Sequence, residues 1–285
     1  LADFIALSEL AMMLDLMMKY GPFAVHTEDA HTFTKLAIPE ICGLGLHFTL
    51  DGFRVIYGSI VAFMWAGATL LSGEYFKHHK NTNRFYLFLL WTLGATMAVF
   101  LSADLFTTFI FFEVMSFTSY TWVAQEENKE SLSAAATYLA VAVIGGLVML
   151  MGLMILYHEL GTVVIGELLK ATELYEGNRT WIYVARVCLF FGFAAKAGAF
   201  PLHIWLPKAH PVAPAPASAL LSGILTKTGM FGILVVSCNL FLYDISWSTF
   251  VLGIGVLTMF GGALLAVFSV DLKRTLACSS MSQIG

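Results

Sequence analysis

The sequence predicts an all-α polytopic membrane protein with about eight or nine transmembrane helices, one of them broken. Hydrophobic residues make up 59% of the 285 residues and charged residues 12%, and the mean hydropathy is +0.81. Because soluble domains carry roughly 25% charged residues, this composition indicates a chain surrounded by lipid. The alternation of apolar and polar residues that marks strands of a membrane barrel is absent, so helices are the expected elements.

Hydropathy predicts the spans one by one, since about 20 apolar residues cross a hydrocarbon core about 30 Å thick. Residues 1–84 are expected to hold N-terminal spans and a long loop, residues 85–243 a group of five spans, and residues 244–285 the start of another group. The predicted spans are residues 4–20, 55–76, 85–101, 103–124, 133–157, 181–208, 214–243 and 247–270, with a further one from about residue 274.

Lysine and arginine in short loops predict which ends of the spans face the cytoplasm. They concentrate in "KHHKNTNR", in "QEENKE", beside the helix break and before the last segment. The loops around Asp104 and Asp244 are then external. In the external loop 21–54 we expect "LHFTL" to form a short strand, and we expect residues 162–170 to form an amphipathic helix on the outer surface.

Three charged residues lie in the middle of predicted spans, where each costs about 2.5–3.5 kcal/mol even on the lenient insertion scale. They are Glu113, Lys196 and Lys227, at similar depth on three different helices. We expect them to meet inside the bundle, where Glu113 and Lys196 would act as a proton switch. The competing interpretation is a static ion pair that fixes helix packing. Arg186 and Glu74 lie nearer the ends of their spans and are expected to snorkel.

The segment "FGFAAKAGAFPLHIWLPKAH", residues 191–210, predicts a broken membrane helix around Lys196. The residues that interrupt it are Gly198, Pro201 and Pro207. Irregular backbone at membrane depth survives only inside protein or beside water, because its freed carbonyl groups find no partner in lipid. Broken helices near the midplane also build the ion sites of transporters. The break therefore predicts a hydrated, adjustable site at Lys196.

Two histidines flank the second half of the broken span, and histidine carries a proton near neutral pH. His203 and His210 are therefore candidate relay residues, with ordinary polar residues at a helix end as the alternative. The four cysteines are far apart without a CxxC pair, and no GxGxxG motif occurs. We expect this chain to bind no metal, cofactor or nucleic acid.

Four segments, in the order "FFEVMSFTSY", "KAGAFPLHIWLPKAH", "SALLSGILTKTG" and "DLKRTLACSSMSQIG", resemble a known family. It comprises the antiporter-like subunits of respiratory complex I, group 4 membrane-bound hydrogenases and Mrp sodium/proton antiporters. The resemblance covers about residues 40–285, and "GILTKTG" looks like the branch of complex I subunit 4 and MrpD. It implies two inverted five-helix repeats, the first at residues 85–243 and the second beginning in 244–285, within a longer subunit.

The resemblance also implies roles. Glu113 would be the glutamate that modulates the channel lysine, Lys196 that lysine, and Lys227 the bridging lysine. The chain would translocate protons or sodium ions in an energy-coupling membrane, as part of an NADH:quinone oxidoreductase-like or hydrogenase-like complex. Its partners would be other membrane-arm subunits, including homologous antiporter-like ones, lipid, and peripheral redox subunits with iron–sulfur clusters and a flavin, quinone or nickel–iron site. A Mrp-type antiporter without redox chemistry and a scaffold locked by ionic groups are the open alternatives.

Overall fold

The computed structural model describes residues 1–20, 34–39, 41–77, 82–240, 242 and 244–285, and helices dominate it. Its elements in chain order are α1 Ala2–Tyr20, β1 Thr34–Ile38, β2 Leu46–Leu50, α2 Gly52–Tyr75, α3 Thr82–Leu101, α4 Leu105–Val123, α5 Lys129–Leu160, α6 Ile165–Glu173, α7 Arg179–Ala197, α8 Leu206–Val212, α9 Ala215–Leu220, α10 Thr226–Leu240, α11 Ile245–Val267 and α12 Leu272–Ile284. Short 3₁₀ turns at Ile41–Gly43 and Leu202–Trp205 and a π-helical turn at Leu221–Leu225 complete the set.

Among the described helices, six are long and apolar enough to cross a membrane. They correspond to α2, α3, α5, α7 continued through α8, α9 continued through α10, and α11. This confirms the predicted all-α polytopic membrane protein. Helices α1 and α4 also form where spans were predicted, but neither is among these six.

The chain divides into two compact units, and the first comprises Leu1–Ser119. Its β-hairpin pairs β1 with β2 in antiparallel register, so the predicted strand "LHFTL" is confirmed as β2. The backbone N–H of His47 donates to Thr107 Oγ1 (2.9 Å), and its ring Nδ1 lies 3.0 Å from Asp104 Oδ2. The hairpin is thereby tied to the first turn of α4. Residues 21–33 of the predicted external loop lie outside the described residues.

The second unit comprises Tyr120–Gly285, and α7 packs against both α5 and α10 in it. Glycine permits this close approach. A Cβ on Gly192 would lie 2.5 Å from Met149 Cβ and 2.8 Å from the Gly145 carbonyl oxygen, and a Cβ on Gly229 of α10 would overlap the backbone of α7. The predicted repeat, residues 85–243, remains a prediction.

Helix α6 is the predicted amphipathic helix, and it begins three residues later than expected, at Ile165. Its apolar side chains Ile165 and Leu168 are buried, whereas Gly166 and Glu167 are exposed. One face of the helix therefore packs against the second unit, and the opposite face is left for solvent or lipid headgroups.

Replacing Gly192 by alanine tests the close approach of α5 and α7. Overpacking a tight contact of this kind typically costs about 1–3 kcal/mol, so we expect a lower unfolding temperature for the assembled protein in detergent. Gly253→Ala on α11 is the matched control, because a Cβ there meets no atom within 4 Å and alanine favours the helix. Equal unfolding temperatures for the two variants would contradict this description of the packing.

Candidate functional site

The interruption predicted around Lys196 lies between α7 and α8. Helix α7 ends at Ala197, and Gly198 follows in the left-handed conformation with φ = 75°, which glycine adopts without strain. The Phe200–Pro201 peptide bond is cis, and Pro207 stands in the first turn of α8, where its missing N–H is not needed. The three helix-breaking residues of the sequence therefore lie at the interruption, each with a different local task.

Backbone groups freed by the break have partners from other segments. The Trp205 indole N–H donates to the carbonyl oxygen of Ala195 at 2.8 Å, and the N–H of Phe200 donates to Thr258 Oγ1 on α11 at 3.0 Å. Trp205 is 1% exposed, so its hydrogen bond forms away from water. Buried backbone groups need such partners, because leaving one unsatisfied costs about 1–3 kcal/mol. The irregular backbone is thus compatible with membrane depth.

Lys196 is buried in the last turn of α7, with 2% of its surface exposed. Its Nζ donates to the hydroxyl of Tyr138 on α5 at 2.5 Å and lies 4.8 Å from the centre of the Tyr138 ring. The C-terminal end of a helix favours a positive charge. The site thus stabilises the ammonium with the helix dipole as well as a hydrogen bond.

Tyr138 is the residue that sequence reasoning missed at this site. A tyrosine in an apolar span is common, and nothing in "SAAATYLAVAVIGG" distinguishes it from a packing residue. The available signal was that Tyr138 is the last hydrogen-bonding side chain before the long run of small and apolar residues that fills the middle of α5. The contact itself depends on how α5 and α7 are rotated against each other, which spacing within one helix does not reveal.

Lys227 is half-buried in the first turn of α10 and contacts the turn that precedes it. Its Nζ donates to the carbonyl oxygen of Ser222 at 2.7 Å, within the π-helical turn Leu221–Leu225. Such turns are rare and concentrate at functional sites, because they leave carbonyl groups available to side chains. The Ser222 hydroxyl lies 2.7 Å from that of Ser280 on α12.

His210 is buried in α8, and its Nδ1 lies 2.6 Å from the Ser218 hydroxyl. A cavity of about 270 Å³ connects this histidine with Ser218, Ser222, Lys273 and Ser280. His210 therefore shares this cavity with the serine whose carbonyl accepts from Lys227. His203 is half-exposed instead, and its ring stacks on Phe200 with centroids 5.8 Å apart.

Glu113 is half-buried in α4 and belongs to the first unit, whereas Lys196 and Lys227 belong to the second. Its pairing with Lys196 remains a prediction. Within the second unit the structure supplies each lysine with oxygen partners, a phenol hydroxyl for Lys196 and a backbone carbonyl for Lys227. The two lysines are thus placed differently, one at the helix break and the other bonded to a serine that lines the cavity.

The expectation that Arg186 snorkels is wrong. Its side chain is buried, donates to the carbonyl oxygen of Leu240 at 2.6 Å, and lies 3.8 Å from Asp244 Oδ2. The C-terminal turn of α10 leaves carbonyl groups without helical partners, and the one of Leu240 accepts a hydrogen bond from the buried Arg186 guanidinium. The Tyr183 hydroxyl donates to Asp244 and lowers the pKa of that carboxyl below its usual value.

Glu74 is exposed and pairs with Lys77, as expected for an end-of-span residue.

A polytopic bundle whose broken helix carries a buried lysine, with a second lysine on the next helix, defines the class of antiporter-like membrane subunits. The chain belongs to the family described as NADH:quinone oxidoreductase/Mrp antiporter, transmembrane, whose model matches residues 102–285. This family assignment confirms the resemblance drawn from the sequence motifs. The chain is an integral membrane protein of that superfamily.

The chain is similar to relatives from both redox and antiporter complexes. It is 30% identical to hydrogenase-4 component B of Escherichia coli (strain K12), over 83% of this chain and 35% of the relative. It is 31% identical to NADH-quinone oxidoreductase subunit M of the same strain, over 85% of this chain and 49% of the relative. A solved Mrp complex from Dietzia sp. DQ12-45-1b shares the fold, with a TM-score of 0.84 at 23% identity, covering 99% of this chain and 51% of the other. The chain therefore spans about half or less of the length of these proteins.

Replacing Trp205 by phenylalanine tests how the break is held. The Ala195 carbonyl would lose its donor, so we expect a loss of about 1–3 kcal/mol in stability, read as a lower unfolding temperature. Trp181→Phe is the control, since Trp181 is a half-exposed tryptophan in the first turn of α7. If Trp205→Phe and Trp181→Phe have the same unfolding temperature, the indole hydrogen bond does not stabilise the break.

Proposed function

We propose that the chain translocates protons, or sodium ions, as an antiporter-like membrane-arm subunit of a redox-driven complex such as complex I or a membrane-bound hydrogenase. The observation that carries the proposal is the Lys196 ammonium, buried at a helix break and hydrogen-bonded to the Tyr138 hydroxyl. An ionisable group is expensive at this depth, and intramembrane ionisable residues generally mark ion pathways.

Tyr138 is a suitable partner for a lysine that changes its protonation state. A phenol hydroxyl accepts a hydrogen bond from a charged ammonium and donates one to a neutral amine, so it satisfies both states. A carboxylate, by contrast, stabilises mainly the charged ammonium form of lysine. We propose that the Glu113 carboxylate controls which form Lys196 takes: the lysine keeps its proton while the carboxylate is near and releases it when that negative charge is withdrawn.

Lys227 is proposed as the next proton carrier, linked through Ser222 to the cavity that holds His210. Ser222 accepts from Lys227 through its carbonyl and meets Ser280 through its hydroxyl, while His210 and Ser218 line the same cavity. Hydroxyl groups and histidine both donate and accept hydrogen bonds, which a proton relay requires. His210 is therefore the stronger histidine candidate, because the half-exposed His203 ring stacks on Phe200.

Transport against a membrane potential needs energy that this chain does not generate. One charge moved against 100 mV requires about 2.3 kcal/mol. We propose that peripheral redox subunits with iron–sulfur clusters supply it, with a flavin, quinone or nickel–iron site as the other redox groups. Homologous antiporter-like subunits of the membrane arm would transmit it. The similarity to hydrogenase-4 component B and to NADH-quinone oxidoreductase subunit M supports this assignment.

A Mrp-type sodium/proton antiporter is the second candidate function. The shared fold of the solved Mrp complex supports this function as strongly as the first one, and the lysine pattern fits both a redox-driven complex and an antiporter. The two differ in their driving force. A redox-coupled complex pumps only when an electron donor and acceptor are supplied, whereas an antiporter exchanges sodium for protons in proteoliposomes without either. Sodium/proton exchange without redox substrates would favour the Mrp interpretation.

Lys196→Ala and Tyr138→Phe, in the reconstituted complex, test the proposed relay. Losing a hydrogen bond to a charged group costs about 1.5–3 kcal/mol, and about 1.4 kcal/mol corresponds to a tenfold change in rate. We expect Tyr138→Phe to slow ion pumping by about tenfold and Lys196→Ala to abolish it. Pumping is measured as acidification inside the vesicles, after assembly of each variant has been verified.

Lys208→Ala is the matched control for these substitutions, because Lys208 is an exposed lysine twelve positions further along the same broken span. It should pump like the wild type. If Lys196→Ala assembles and pumps as well as Lys208→Ala, Lys196 is structural and the proposed transport role is wrong. Loss of assembly in Lys196→Ala but normal pumping in Tyr138→Phe would favour the scaffold alternative.

A further inference from the structure

A second cavity of the second unit, of about 460 Å³, lies at the end of the bundle opposite to the Lys196 end of α7. It is enclosed by the amphipathic helix α6, the first two turns of α7 and the connection from α10 to α11. This volume is within the usual range of small-molecule sites, about 300–1,000 Å³. The loop charges predict that this end faces the outer surface of the membrane.

The cavity is amphipathic. Apolar side chains, among them Leu169, Ile182 and Leu242, line part of its wall, and charged and hydroxyl-bearing side chains line the rest. A cavity at a membrane surface that combines the two suits a ligand with a polar head and an apolar chain. The molecules that meet this description at every membrane surface are the phospholipids.

The charges of the cavity have both signs. Arg179 and Arg186 lie seven residues apart on one face of α7, and Glu173 ends α6 on the other side of the cavity. Arg186 is occupied by the Leu240 carbonyl and Asp244. Among the described residues, the side chains of Arg179 and Glu173 form neither a hydrogen bond nor an ion pair. Both residues are exposed at the mouth of the cavity, so one cation and one anion there are accessible to a ligand.

We propose that this cavity binds the headgroup of a zwitterionic phospholipid with a primary ammonium, of the phosphatidylethanolamine type, with its phosphate at Arg179 and its ammonium at Glu173. A guanidinium matches phosphate oxygens in its geometry, and an ammonium donates hydrogen bonds to a carboxylate. A headgroup that is only anionic would also bind Arg179, but its negative charge would lie close to the negative Glu173 and be repelled by it. The proposal is independent of the ion-translocating function.

The test uses the whole complex, stripped of lipid in detergent and titrated with dioleoylphosphatidylethanolamine or dioleoylphosphatidylglycerol, with bound lipid counted by native mass spectrometry. A basic residue near a membrane surface contributes about a fivefold affinity for a lipid phosphate. We expect Arg179→Gln to weaken the binding of both lipids about fivefold. Glu173→Gln should weaken the ethanolamine lipid by a similar factor and leave the glycerol lipid unchanged or more tightly bound.

Two matched controls separate the cavity from the general charge of the surface. Lys170→Gln removes an exposed positive charge from α6, and Glu176→Gln removes an exposed negative charge from the neighbouring loop, and neither residue lines the cavity. Both variants should bind lipid like the wild type. Equal binding by Arg179→Gln and Lys170→Gln would overturn the proposal. A partner subunit that fills the cavity in the complex would overturn it as well. Preference for the glycerol lipid with no effect of Glu173→Gln would overturn the zwitterionic assignment.

Discussion

The second unit depends on one constraint, which is that the positive charge of Lys196 must be stabilised out of water. Burial removes the hydration of the ammonium, and its described partners in this unit are the Tyr138 hydroxyl and the C-terminal end of α7. Each of these needs a particular geometry. Glycine at position 192 brings α5 close enough to α7 for the tyrosine to reach, and Trp205 holds the helix end where the lysine stands.

Three other cations of this unit share one kind of partner. Lys227, Lys273 and Arg186 all donate to backbone carbonyl oxygens where a regular helix is interrupted: those of Ser222 in the π-helical turn, Ala213 after α8 and Leu240 at the end of α10. Helix ends and irregular turns leave carbonyls without partners, so a cation there satisfies the backbone and is stabilised by it. The ammonium of Lys196 donates to a side-chain hydroxyl, that of Tyr138.

Hydropathy and residue type were enough to predict the helices, the short strand β2 and the amphipathic helix α6, because each is encoded within one continuous segment. They also predicted that Lys196 lies in an interrupted helix, since glycine and proline act locally. The partners of the charged residues were not predictable in this way. Tyr138, Trp205 and the Leu240 carbonyl reach their partners across helices, and the rotation of one helix against another is decided by packing. Arg186 was mistaken for a snorkelling residue for this reason.

Two cations of α7 differ in how easily their charges can change. Arg186, in the middle part of the helix, is held by a carbonyl and by Asp244, and a guanidinium keeps its proton throughout the physiological range, so this position stays charged. Lys196, in the last turn, is a lysine, and its hydroxyl partner can accept from an ammonium or donate to a neutral amine. If Lys196 exchanges its proton as proposed, movement linked to that exchange should concentrate in the segment from Lys196 to Trp205, because that segment lies between the end of α7 and the start of α8. The Arg186 contacts should keep their place.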